Sequence, residues 1–134
     1  MNCTITIRYL SGRQLLGVAR HHAVLTDRTR EEGGTDIGCT SGELLLLAIG
    51  SCATGGVRKY LQAQGLPYDN LSVTVSFAAH EEPRERDRIV VSVNVDEAAR
   101  LHADAIRAAA VGGGVTSRIH AGTGLQVRMA GIDG

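Results

Sequence analysis

Aromatic residues are nearly missing from this chain, which has no tryptophan, one phenylalanine and three tyrosines. Proteins that hold single-stranded nucleic acid stack its bases on aromatic side chains, so a surface of that kind is excluded. Net charge is missing as well. Lysine plus arginine (14) equals aspartate plus glutamate (14), which leaves no overall field to recruit nucleic acid or anionic lipid. The three cysteines are an odd number at irregular spacing and do not make the disulfide framework of a small secreted protein. The longest uncharged run is too short and too rich in glycine to span a bilayer, which takes about 20 apolar residues. Met1 leads into an alternating strand pattern rather than a secretory leader. Together these absences point to a cytoplasmic protein with reduced thiols, folded as one domain over residues 1–134 with a modest core.

Ligand spacing for a metal is missing too. His21, His22, His80, His102 and His120 form no group with each other or with the cysteines of the kind a zinc site needs. Gly112, Gly113 and Gly114 superficially suggest a phosphate cradle, but the lysine and hydroxyl of a P-loop do not follow. No metal and no cofactor are therefore expected.

What is present is organised around residues 40–65, TSGELLLLAIGSCATGGVRKYLQAQG. Thr40 and Glu43 have the spacing of a capping box, in which each side chain accepts from the other's backbone amide. Residues 44–57 carry no charge, so this helix is expected to be buried on nearly all sides. Gly50, Gly55 and Gly56 would let other backbone come close. Gly65 supplies a stop. Cys52 lies in the middle of this apolar helix. A free cysteine there can be a small core filler or, as a thiolate, a nucleophile.

Around that helix the pattern is mostly of strands. Residues 3–9 alternate apolar and polar side chains. A turn at residues 11–14 returns the chain into residues 15–19, and residues 22–26 read as a third strand. Residues 27–39, DRTREEGGTDIGC, form a polar loop long enough to carry function. After the helix, residues 71–78 and 89–95 alternate on either side of a charged connection at residues 79–87. Asp96 and Glu97 open a second helix with acidic residues in its first turn. The three glycines break it, a short helical turn spans residues 115–120, and residues 125–129 read as a last strand. The order βββ-α-ββ-α-β, with antiparallel sheets around a central helix, is an α+β arrangement. One antiparallel sheet cannot cover a helix that is apolar all round, so a homodimer that packs two copies of this helix together is expected.

The residues Gly42 to Thr54, GELLLLAIGSCAT, with DIGCTSGELL before them and RHHAVLTD further upstream, resemble the OsmC/Ohr family. The name joins osmotically induced protein C and the organic hydroperoxide resistance proteins. The resemblance covers almost the whole chain, including GLPYDNLSVTVSF after the helix. It implies an intertwined homodimer with two active sites at the subunit interface. In the family's peroxidases a cysteine on the central helix attacks an organic hydroperoxide or hydrogen peroxide. A second cysteine, in a Cys-Pro pair near the end of the second long helix, resolves the product as a disulfide. An arginine from the N-terminal region and a glutamate at the start of the central helix assist.

Cys52 stands at the peroxidatic position. The Cys-Pro pair falls at Gly113 and Gly114, so the resolving cysteine is absent. The family's glutamate falls at Gly42, one position before Glu43, and Arg13 is a loose match to the arginine. The resemblance thus implies Cys52, Arg13 and Glu43 as catalytic candidates, with an external thiol as reductant. The competing reading is a non-catalytic dimer that binds a small apolar ligand or acts as a stress-responsive thiol protein. Cys52 lies about three turns into its helix, too far to use that helix's own dipole. Its activation is expected from an imported cation such as Arg13, Arg20 or a group of the other subunit. Cys39 lies too far along the helix for a simple intrachain disulfide, and Cys3 is expected in the core beside Ile5 and Ile7.

Overall fold

The computed structural model describes residues 3–78 and 88–133. The charged connection expected at residues 79–87 lies outside them. The chain divides into two compact units, Met1–Leu47 and Ala48–Gly134.

In the first unit, β1 (Thr6–Ser11), β2 (Gln14–Ala19) and β3 (His22–Thr26) form an antiparallel meander in sequence order. Ser11 pairs with Gln14 across a two-residue turn and Ala19 with His22 across another, as the sequence pattern requires. Register sets the faces: Ile7 opposes Gly17, which in turn opposes Val24. Ile5, Ile7 and Tyr9 therefore share one side of β1, and all three are exposed, Tyr9 at 69%. Cys3, expected in the core on that same side, is exposed as well. It precedes β1 and lies outside any described strand.

The polar loop after β3 is ordered by one carboxylate. Asp27 is only 3% exposed, a position that a charge tolerates only when its oxygens are satisfied. The amide of Arg28 donates to Oδ1 at 2.7 Å. Oδ2 accepts from the Thr35 hydroxyl at 2.6 Å, the Thr35 amide at 3.1 Å and the Ile37 amide at 3.3 Å. The Thr35 hydroxyl is the main cause that holds the Asp27 carboxyl below the ordinary aspartate value. The amides of Arg28, Ile37 and Thr35 add to it against a desolvation that pushes upward. The loop then returns to β3, where Cys39 bridges Thr26 and accepts from the Asp27 amide.

The central helix α1 (Ser41–Ala63) follows. Its start is the expected capping box: the Glu43 amide donates to Thr40 Oγ1 at 3.2 Å, and the Thr40 amide to Glu43 Oε1 at 2.9 Å. Its end is the expected stop, with Gly65 at φ +67°.

In the second unit, β4 (Ser72–Ala78) and β5 (Arg88–Asn94) pair as an antiparallel ribbon from Ser72–Asn94 to Ala78–Arg88. A 3₁₀ segment, Glu97–His102, leads into α2 (Ala103–Val111), and α3 (Gly114–Ala121) follows after the glycine break. The core is the stripe Ala53, Val57 and Leu61 of α1 against Ala99, Ile106 and Ala110. Side chains four apart share one helix face, and fully burying Val57 or Leu61 contributes roughly 1.5–3 kcal/mol each. Gly56 makes the helix packing close, because a β-carbon there would fall on the Ala109 carbonyl. Gly50 meets a Val75 methyl instead, and Gly55 faces open space.

Three expectations change. The central helix buries Ile49, Ala53, Val57 and Leu61 but leaves Leu45 and Leu47 exposed, so one chain covers a stripe and not the whole circumference. The last strand, expected over residues 125–129, does not form, and the second helix is divided between a 3₁₀ segment and α2. Residues 125–129 keep the alternation of a strand. A strand, however, exists through hydrogen bonds to a neighbour, and no described strand pairs with this segment. Leu125 is 92% exposed and Val127 81%. The α+β character with antiparallel sheets is as expected.

Asp27 allows a direct test. Because its folded pKa is depressed, its stabilising effect is complete above the ordinary aspartate value of about 4 and is lost as pH falls through the lower folded value. Asp27→Asn is expected to lower the urea midpoint at pH 7, and the gap to wild type is expected to shrink at pH 3. Equal midpoints at pH 7 would show that the loop does not depend on this carboxylate.

Candidate functional site

Cys52 lies half-buried on α1, and the groups around its sulfur come from the start of α3. A helix begins with backbone N–H groups that have no partner inside the helix. Ordinarily the side chain at the N-cap accepts from the second or third of them. Here the N-cap is Gly113, which has no side chain to offer. The Cys52 sulfur stands where that side chain would be, since a β-carbon on Gly113 would fall on Sγ. At the start of α3 the Thr116 hydroxyl and the amides of Thr116 and Val115 are the donors that bear on the sulfur's ionisation.

Thr116 is 8% exposed. Its Oγ1 finds no hydrogen-bond partner among the described residues. These donors favour the thiolate. The Thr116 hydroxyl contributes most, then the Thr116 amide, and the Val115 amide adds to them. They outweigh the opposing desolvation and set the thiol below its ordinary pKa. Hydrogen bonds to the charged form lower an acid's pKa in this way, and a helix N-terminus is a recognised setting for a reactive cysteine. The start of α3 is thus a second source of activation, one that the sequence reading did not name beside an imported cation.

Thr116 also lines a cleft of about 660 Å³. Its walls are largely apolar, from Ile49, Ile89, Val91, Val111 and Ile119, with Arg88 and His120 also among the lining residues. A thiolate beside such a cleft can attack an electrophilic atom of a small molecule that is partly apolar.

The other candidates from the sequence belong to the first unit. Glu43 is engaged in its capping box, where the Thr40 amide and then the Thr40 hydroxyl hold its carboxyl below the ordinary value against desolvation. The guanidinium of Arg13 lies beside Gly33 in the polar loop. Neither is among the described groups that support the sulfur. Sequence reasoning missed Thr116 and Val115. A signal for both existed: three glycines followed by a helix start with no capping side chain. Among the described residues no group of three or more His, Cys, Asp or Glu side chains could hold a metal ion, and no helix is long and apolar enough to cross a membrane.

Replacing Thr116 by valine keeps the amides but removes the hydroxyl. A hydrogen bond to a charged group is worth about 1.5–3 kcal/mol, so the thiolate fraction at pH 7 is expected to fall on the order of tenfold. The alkylation rate of the Cys52 peptide, followed by mass spectrometry, measures this. An unchanged rate would remove Thr116 from the site.

Comparisons with known proteins bear on the family and the fold. The family model described as OsmC-like protein matches residues 33–113, more than half of the chain. No curated protein matches it. Among solved structures, an organic hydroperoxide resistance protein OsmC of Legionella pneumophila superposes with a TM-score of 0.60 at 15% identity, covering 89% of each chain. A Vibrio cholerae structure of the organic hydroperoxide resistance class, with captopril bound in one of the active sites, gives 0.65 at 9% identity over 91% of this chain and 86% of that one. The organic hydroperoxide resistance protein OhrB of Bacillus subtilis gives 0.54 at 17% identity over 82% and 83%. Identities this low speak to the fold alone. The family model goes further, and with it the chain belongs to the OsmC-like protein family.

Proposed function

We propose that this protein reduces organic hydroperoxides or hydrogen peroxide through Cys52, with an external thiol as reductant. The observation that carries the reading is the Cys52 sulfur seated on the start of α3 beside a largely apolar cleft. The thiolate attacks the terminal peroxide oxygen, and the O–O bond breaks. The alkoxide leaves and takes a proton, and Cys52 becomes a sulfenic acid. One external thiol then displaces water to form a mixed disulfide. A second thiol attacks that disulfide, restores Cys52 and leaves oxidised reductant. An external thiol is invoked because residue 113, which faces the sulfur, is glycine. The solved relatives named for organic hydroperoxide resistance support this choice of substrate.

Purified protein supplied with an alkyl hydroperoxide and a dithiol is expected to consume peroxide, and Cys52→Ser is expected to reduce that rate to background. Loss of peroxide that survives the substitution would overturn the reading. The apolar lining of the cleft also favours the non-catalytic alternative, a binder of small apolar ligands. That alternative predicts ligand binding without turnover.

The working form in this proposal is a homodimer. Its support is the set of exposed large apolar side chains, Ile5, Ile7 and Tyr9 in the first unit and Leu125 and Val127 in the second. Arg13 enters as a cation supplied across the dimer, and Glu43 as the residue that steadies the start of α1. Sedimentation is expected to give twice the 14.1 kDa chain mass, and Ile7→Asp with Tyr9→Asp to shift it to a monomer. A wild-type monomer at micromolar concentration would contradict this assembly.

A further inference from the structure

We propose that the start of α3 is a holding site for oxidised Cys52, so that excess peroxide converts the thiol to a sulfinate that is seated there and switches the site off. The inference deepens the proposed function and rests on its first step, attack of Cys52 on a peroxide. Its first support is a set of donors. The Ser117 amide donates to the Gly113 carbonyl, so the amides of Val115 and Thr116 before it have no partner inside the helix. Thr116 is 8% exposed, and its Oγ1 has no partner among the described residues. A buried hydroxyl in that position costs free energy until an acceptor arrives. The second support is where the hydroxyl lies. A β-carbon on Gly113 would fall on Cys52 Sγ and stand 3.7 Å from Thr116 Oγ1. Thiol and hydroxyl thus border one spot. A thiol sulfur is a weak acceptor, whereas oxygens added to it are strong ones.

The chemistry takes two peroxides. The first leaves Cys52 as a sulfenic acid, as above. Residue 113, which borders the sulfur, is glycine, so no thiol at that position captures this state as a disulfide, and it waits for an external one. If a second hydroperoxide arrives first, the sulfenate sulfur attacks its terminal oxygen. An S–O bond forms, the O–O bond breaks, and the alkoxide takes a proton and leaves as an alcohol. The sulfur loses two electrons and the peroxide gains them. The sulfinate carries two oxygens that can accept from the Thr116 hydroxyl and the two amides, and ordinary thiols do not reduce it. Peroxide in excess of thiol therefore shuts the site.

The test uses protein carrying Cys3→Ser and Cys39→Ser, with hydrogen peroxide in excess and no reductant. Mass spectrometry counts the oxygens on the Cys52 peptide, and thermal unfolding compares the oxidised and reduced forms. Cys52 is expected to stop at two added oxygens, while a free cysteine peptide goes on to three. Because an acceptor at a helix start stabilises the helix, the sulfinate form is expected to melt roughly 3–6 °C above the reduced form. Thr116→Val is expected to lose most of that rise and Thr116→Ser to keep it. Should Thr116→Val fail to fold, amide exchange in the doubly substituted protein decides: Val115 and Thr116 are expected to exchange more slowly after oxidation than before. A midpoint at or below the reduced one, an equal rise in Thr116→Val, unchanged exchange, or passage to three oxygens at the peptide's rate would overturn the holding site. Excess peroxide oxidises a thiolate without any catalysis, and the proposed function is read separately, from peroxide loss with a dithiol present. A protein without turnover can still hold the sulfinate, and one with turnover can fail to.

Discussion

The site depends on a substitution of one cap for another. Helix α3 starts without a side chain at its N-cap, and the Cys52 sulfur of α1 takes the vacant place. A helix start needs an acceptor for its free amides, and a thiol needs donors before it ionises readily. Here the two stand side by side, and the thiol's pKa is lowered. The glycine at 113 is therefore required by space, because any side chain there would displace the sulfur from the amides it faces. The same glycine removes an internal thiol from the position facing Cys52, so one residue bears on both the thiol's ionisation and its regeneration.

The surrounding fold holds the two partners in place. The stripe of Ala53, Val57 and Leu61 packs α1 against Ala99, Ile106 and Ala110, with Gly56 admitting the carbonyl of Ala109. Tyr60 and His102 add a 2.7 Å hydrogen bond between α1 and the 3₁₀ segment. Cys52 lies one residue before Ala53 in this stripe, and α3 begins three residues after the end of α2. Core packing thus delivers the start of α3 to the sulfur, and the short Gly112–Gly113 break makes the approach sterically open.

Much of this was legible in the chain, and what was not has a physical reason. Local rules sufficed where the cause is local. The capping box of Thr40 and Glu43, the stop at Gly65, the two tight turns of the meander and the β4–β5 alternation all follow from neighbouring residues. The strand at residues 125–129 did not follow, because alternation supplies a side-chain pattern and not a pairing partner. Cys3 was expected in the core and is exposed, because burial is decided by tertiary packing and not by alternation. The polar loop was recognised as unusual, yet its dependence on Asp27 needed the fold to bring Thr35 and Ile37 back to one carboxylate. Thr116 was the largest omission. It lies 64 positions from Cys52 in sequence, and an uncapped helix start shows its meaning only when the missing acceptor is found on another element.

The central claim is that hydrogen bonds from the start of α3 hold Cys52 as a thiolate more readily than a free cysteine. It is tested most directly by titrating the thiolate's ultraviolet absorbance in the folded protein and subtracting the same titration of Cys52→Ser. The expected result is a transition below the pH at which an unstructured cysteine peptide ionises. A transition at or above that of the peptide would contradict it.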